Sequence, residues 1–102
     1  MKLEDIQELV HLHISELLDE MYPITRYASK FNTDARKMFL GLSYDNVLDI
    51  TNEWLDEPPS VGDRTNIRVQ RIERLQNSIK CYQIAKLEGI DAALVWKLTN
   101  PF

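Results

Sequence analysis

The chain has 102 residues, 44% of them hydrophobic and 27% charged, with a formal net charge of −4. That length sustains one compact core, and the composition is that of an ordinary globular domain, which excludes a disordered tail. No apolar run approaches the ~20 residues of a bilayer span, which excludes a membrane-embedded helix, and a single cysteine, Cys81, excludes an internal disulfide.

The opening stretch, MKLEDIQELV, carries acids where a secretory leader would be apolar, so the reducing cytoplasm is the expected location. In residues 3–21, Leu3, Ile6, Val10, Ile14, Leu17 and Met21 recur at steps of three and four. This spacing predicts a helix with one narrow apolar face. Pro23 ends that helix and suits the first turn of another, predicted over 23–31 with Ile24, Tyr27, Ala28 and Phe31 on one side. Asn32 and Thr33 offer a stop and a new cap, and a helix over 34–40 then runs to Gly41, placed as the left-handed residue past its end.

Ser43 is a suitable N-cap for a helix over 44–56, with Asp45 near the positive end of its dipole and Pro58 and Pro59 beyond its end. Residues 57–64, EPPSVGDR, read as a loop of ordinary length. Past Thr65, another cap, Val69, Ile72, Leu75, Ile79, Tyr82 and Leu87 predict a helix over 66–88, about 35 Å long. Toward its end Ile79, Cys81, Tyr82, Ile84, Ala85 and Leu87 cover every side of it. Such a helix is either the central post of a bundle or one half of a homodimer interface. Gly89 closes it, and Asp91 caps a last helix over 91–98. The expected fold is a single all-α domain, a bundle of five to six helices with one long helix in its C-terminal half.

Charge is segregated along the chain: residues 1–20 carry −5, 21–44 carry +3, 45–63 carry −6, 64–88 carry +4, and 89–102 balance. Internal pairing of neighbouring helices and separate faces offered to partners both produce such a pattern. The sharpest acidic feature is Asp45, Asp49, Glu53 and Asp56, which fall within about an 80° sector of helix 44–56. A solvated face explains that stripe, and so does a surface for a basic protein partner. The basic counterpart is Arg64, Arg68 and Arg71 along one edge of helix 66–88, with Arg74 further round. Those side chains pair with acids of a neighbouring helix or bind phosphates.

The stretch LGLSYDNVLDI, residues 40–50, has the Gly-turn and apolar spacing of a helix-turn-helix DNA reader. Lys37 stands where that motif packs a small residue, and the reading helix would turn its carboxylate stripe toward phosphates. DNA reading by this helix is therefore not expected. The Glu8 to His11 stretch, ELVH, has the spacing of a di-iron ligand pair, yet the only other histidine, His13, lies about 160° away on the same helix. No metal or other cofactor is expected, and a structural hydrogen bond near Glu16 and Glu20 is the expected role of His13. Two acid sets, Glu16, Asp19 and Glu20 with Asp45, Asp49 and Glu53, resemble the Mg²⁺-binding acids of all-helical nucleotide pyrophosphatases. The second set reads instead as an exposed stripe, and no catalytic constellation emerges. The C-terminal TNPF either tucks Phe102 against the last helix or serves as a short peptide ligand.

The expected function is non-enzymatic: a helical interaction protein, such as an inhibitor, an immunity or antitoxin-like protein or an accessory subunit. It would bind a macromolecular partner through its charged faces. The alternative is a nucleic-acid-binding regulator that uses the basic edge of helix 66–88.

Overall fold

A computed structural model describes residues 1–24, 30–56 and 64–102, with the side chains of 64–66 outside that set. The described residues form an all-α fold of five helices: α1 (Leu3–Met21), α2 (Lys30–Leu40), α3 (Tyr44–Asp56), α4 (Arg64–Glu88) and α5 (Ile90–Thr99). The first turn of α1 is fixed where the Lys2 N–H donates to the Asp5 carboxylate at 2.7 Å, and Glu4 and Asp5 favour the positive end of its dipole. At its other end the Tyr22 N–H donates to the Leu18 carbonyl before Pro23 stops the ladder.

Helix α4 is the central post, packed against α1, α3 and α5. Val10, Ile14, Leu17 and Leu18 of α1 close over Ile72, Leu75 and Ile79 of α4, and Val47 of α3 and Phe39 of α2 complete that core. A second cluster, Ile6, Cys81 and Ala93, joins the start of α1 to α5, and the Cys81 thiol donates to the Ala93 carbonyl at 3.6 Å. Burial within one chain thus accounts for most of the apolar character of α4. Ile67 and Leu87 are exceptions, and Leu87, which belongs to the predicted apolar face, stands 86% exposed.

A polar seam sets the position of α3 on α4. The Gln76 amide donates to the Thr51 hydroxyl at 2.9 Å and to the Asn52 side-chain oxygen at 2.8 Å. The Thr51 hydroxyl in turn donates to the Val47 carbonyl at 2.7 Å. Thr51 and Gln76 are both buried, so either one left without its partner would cost the desolvation of a polar group.

Several boundaries differ from the sequence reading. Asn32 and Thr33 do not break the chain; they lie inside α2, because the Asn32 amide reaches out to the Pro23 carbonyl at 2.9 Å instead of capping a new helix. Pro23 and Ile24 are not helical, and residues 25–29, the body of the helix predicted over 23–31, lie outside the described residues. So do residues 57–63 of the predicted loop, whereas Arg64 already belongs to α4 and Thr65 lies within it. Ser43 does cap α3, its hydroxyl accepting the Asn46 N–H at 3.3 Å. Asp91 is in the first turn of α5, one position inside the helix, and Gly89 is the cap.

Gly89 has φ 99°, the left-handed region that disfavours a side chain, whereas Gly41 does not have the left-handed conformation the sequence suggested. A Cβ on Gly41 would meet the Met38 carbonyl at 3.5 Å, an ordinary contact. Thermal melts of the two alanine variants should therefore separate: Gly89→Ala is expected to lose roughly 1–2 kcal/mol and Gly41→Ala to remain close to the parent.

Candidate interaction site

Two acids of α1, Asp19 and Glu20, are committed to ion pairs within the fold. Arg36 of α2 pairs with Asp19 at 3.0 Å and donates to the Tyr22 carbonyl at 3.2 Å. Arg71 of α4 pairs with Glu20 at 3.2 Å and donates to the Glu16 carbonyl at 3.4 Å. These pairs are partly exposed and add little stability, but they bring the alternating charges of the sequence into register. The basic edge is correspondingly divided. Arg71 serves α1, Arg68 is half-buried and engaged, Arg74 is exposed, and the side chain of Arg64 lies outside the described residues.

Helix α3 is arranged differently. It buries Val47 and Thr51, which turns Asp45, Asp49, Glu53 and Asp56 outward, all four exposed. Asp45 accepts a hydrogen bond from the Gln83 amide of α4 at 3.0 Å. Among the described residues Asp49, Glu53 and Asp56 take part in no ion pair.

Beside this stripe lies an apolar groove between α2 and α3. Phe39 stacks on Trp54 with centroids 5.5 Å apart and planes at 16°. Tyr22 sets its edge against Trp54 at 6.3 Å and Phe31 at 6.0 Å. Phe31, Ala35, Met38, Ile50 and Trp54 line an open groove of about 300 Å³, in which Phe31 and Met38 are 69% and 75% exposed. Large apolar side chains left that open, together and on one concave surface, make this groove a candidate contact site. On α3, Glu53 follows the groove residue Ile50 by three residues; on α2, Asp34 follows Phe31 by three residues and precedes Met38 by four. Helical geometry therefore sets one carboxylate beside each wall of the groove, Asp34 on α2 and Glu53 on α3, while Asp49, Lys30 and Lys37 all lie further round their helices.

No family model, curated protein or solved structure matches this chain. The site therefore rests on its own chemistry. The turn from Gly41 to Ser43 joins α2 to α3 as in a helix-turn-helix corner, but every charged residue on the second helix is acidic. Phosphates would meet repulsion there. Among the described residues no three His, Cys, Asp or Glu side chains gather closely enough to hold a metal ion, and no helix is long and apolar enough to cross a membrane.

Sequence reasoning singled out the acidic stripe but not the groove. Phe31, Ala35 and Met38 are spaced by four and three, a helical stripe that would have been visible had Asn32 and Thr33 not been read as a helix break.

Away from this corner, His13 is only 6% exposed. Its Nδ1 lies 3.1 Å from the Ser78 hydroxyl, which itself donates to the Leu75 carbonyl at 2.8 Å. The hydroxyl proton is thus committed, so His13 donates from Nδ1 and Ser78 accepts. This partner, on α4, replaces the expected one near Glu16 and Glu20. The Phe102 ring stands edge-on to His13 at 5.9 Å, Lys97 Nζ lies 4.9 Å from the centre of the Phe102 ring, and Asn77 donates to the Pro101 carbonyl at 3.4 Å. The TNPF segment is thereby packed down on α4 and α1. Burial pushes the His13 pKa below its ordinary value, an effect that Arg74 reinforces and Glu16 opposes. A histidine held neutral by the fold contributes stability that is complete above its unfolded pKa of about 6.5 and is lost as pH falls below it. Melting temperature should therefore drop between about pH 7.5 and 5.5, and His13→Gln should drop less over that window.

Proposed function

We propose that this is a non-enzymatic interaction protein, of the inhibitor, immunity or accessory-subunit kind, whose α2–α3 corner binds a basic macromolecular partner. The observation that carries this reading is the contrast between two sets of acids. Asp19 and Glu20 of α1 are spent on Arg36 and Arg71, while Asp49, Glu53 and Asp56 of α3 stand exposed beside an apolar groove. Complementary charge of that kind speeds encounter and selects partners. The alternative, phosphate binding along α4, is weakened because Arg71 is already engaged with α1.

The test is a fluorescence-anisotropy titration with a labelled lysine-rich peptide and with duplex DNA, at about 50 and about 200 mM salt. Converting Asp49, Glu53 and Asp56 to their amides should weaken peptide binding by roughly fivefold or more. The same charge change at Glu4, Glu8 and Asp91 should not. Equal losses from both sets would reduce the effect to net charge. Salt-steep DNA binding lost in Arg68→Gln/Arg74→Gln would favour the nucleic-acid reading instead.

A further inference from the structure

We infer that the element seated in the α2–α3 groove is a single amphipathic α-helix of the partner, apolar along one side and flanked by Lys or Arg. This rests on the reading that the corner binds a basic macromolecule and specifies what that partner presents. Phe31, Met38 and Trp54 meet the apolar side, and Asp34 and Glu53 meet the basic flanks.

The groove lies between two helices whose backbone groups bond within their own turns, so its walls have no row of free N–H and C=O groups to pair with an extended peptide. An occupant must satisfy its own backbone, and a helix does so. The exposed thioether of Met38 adapts to branched or aromatic anchors. An open groove of about 300 Å³ is at the small end of the pockets that enclose ligands, so it takes side chains from one face of a larger body.

Charge weighs against two other occupants. An anionic membrane surface would face the carboxylate rim. A second copy of this chain offers α5 as one open apolar face, with Val95 68% and Leu98 83% exposed. That face carries Asp91, and Glu88 stands next to it, so it would bring acids against acids. Lys97, its only base, is drawn inward over Phe102.

Three designed peptides of one length test the inference by calorimetry. The first places Leu at helical spacing with Lys on both flanks, the second scrambles the same composition, and the third replaces Lys by Glu on the same apolar face. The first should bind at least about tenfold more tightly than either of the others and gain helical circular dichroism on binding. Phe31→Ser/Met38→Ser should abolish the preference for the first over the scrambled peptide. Both side chains are exposed, so an unchanged melting temperature verifies the fold of the variant. Equal binding of the first and scrambled peptides to the parent would overturn the helix-in-groove inference while leaving a basic partner in place. Equal binding of the Glu peptide would overturn the role of the acidic rim, and binding of none would overturn both readings.

Discussion

The burial of one face of α4 against α1 is the constraint on which the rest of the structure depends. Ile72, Leu75 and Ile79 meet Val10, Ile14, Leu17 and Leu18 with almost no residual exposure. Each such side chain contributes about 1.5–3 kcal/mol by leaving water, and truncating one to alanine typically costs about 2–5 kcal/mol. Once the two helices are in register, Arg71 falls opposite Glu20 and His13 opposite Ser78. The ion pair and the buried hydrogen bond follow from the packing and sharpen it.

Through α4 the same register reaches the candidate site. Gln76 holds Thr51 and Asn52 of α3, and with Val47 and Thr51 buried the opposite side of that helix must face outward. Asp45, Asp49, Glu53 and Asp56 occupy that side. Helix α2 is then fixed at the edge by the Phe39–Trp54 stack and by Arg36 on Asp19. Those few anchors leave Phe31, Met38 and Leu40 of α2 largely exposed. The bundle is closed at its centre and open at this corner, where apolar surface and unspent negative charge coincide.

Local pattern made much of this legible. The three-and-four spacing of α1, the Ser43 cap of α3 and the long apolar periodicity of α4 all depend on residues near in sequence. Features that depend on distant partners were not. Asn32 looks like a helix stop until its amide is seen to reach Pro23, and that misreading hid the continuity of Phe31 with Met38. His13 finds its partner 65 residues away, on a helix whose register cannot be read from α1 alone. Leu87 fits the apolar period of α4 yet stands exposed. The acidic stripe was visible because one helix carries all of it; the groove was not, because two helices and a turn build it.

The most direct measurement is a chemical-shift map of the ¹⁵N-labelled protein titrated with the lysine-flanked amphipathic peptide. Shifts concentrated at Phe31, Ala35, Met38, Ile50 and Trp54, with smaller ones at Asp34 and Glu53, are the expected result. Shifts centred on Arg68 and Arg74 of α4, or spread evenly over the acidic surface with the groove silent, would contradict the assignment of this corner as the binding site.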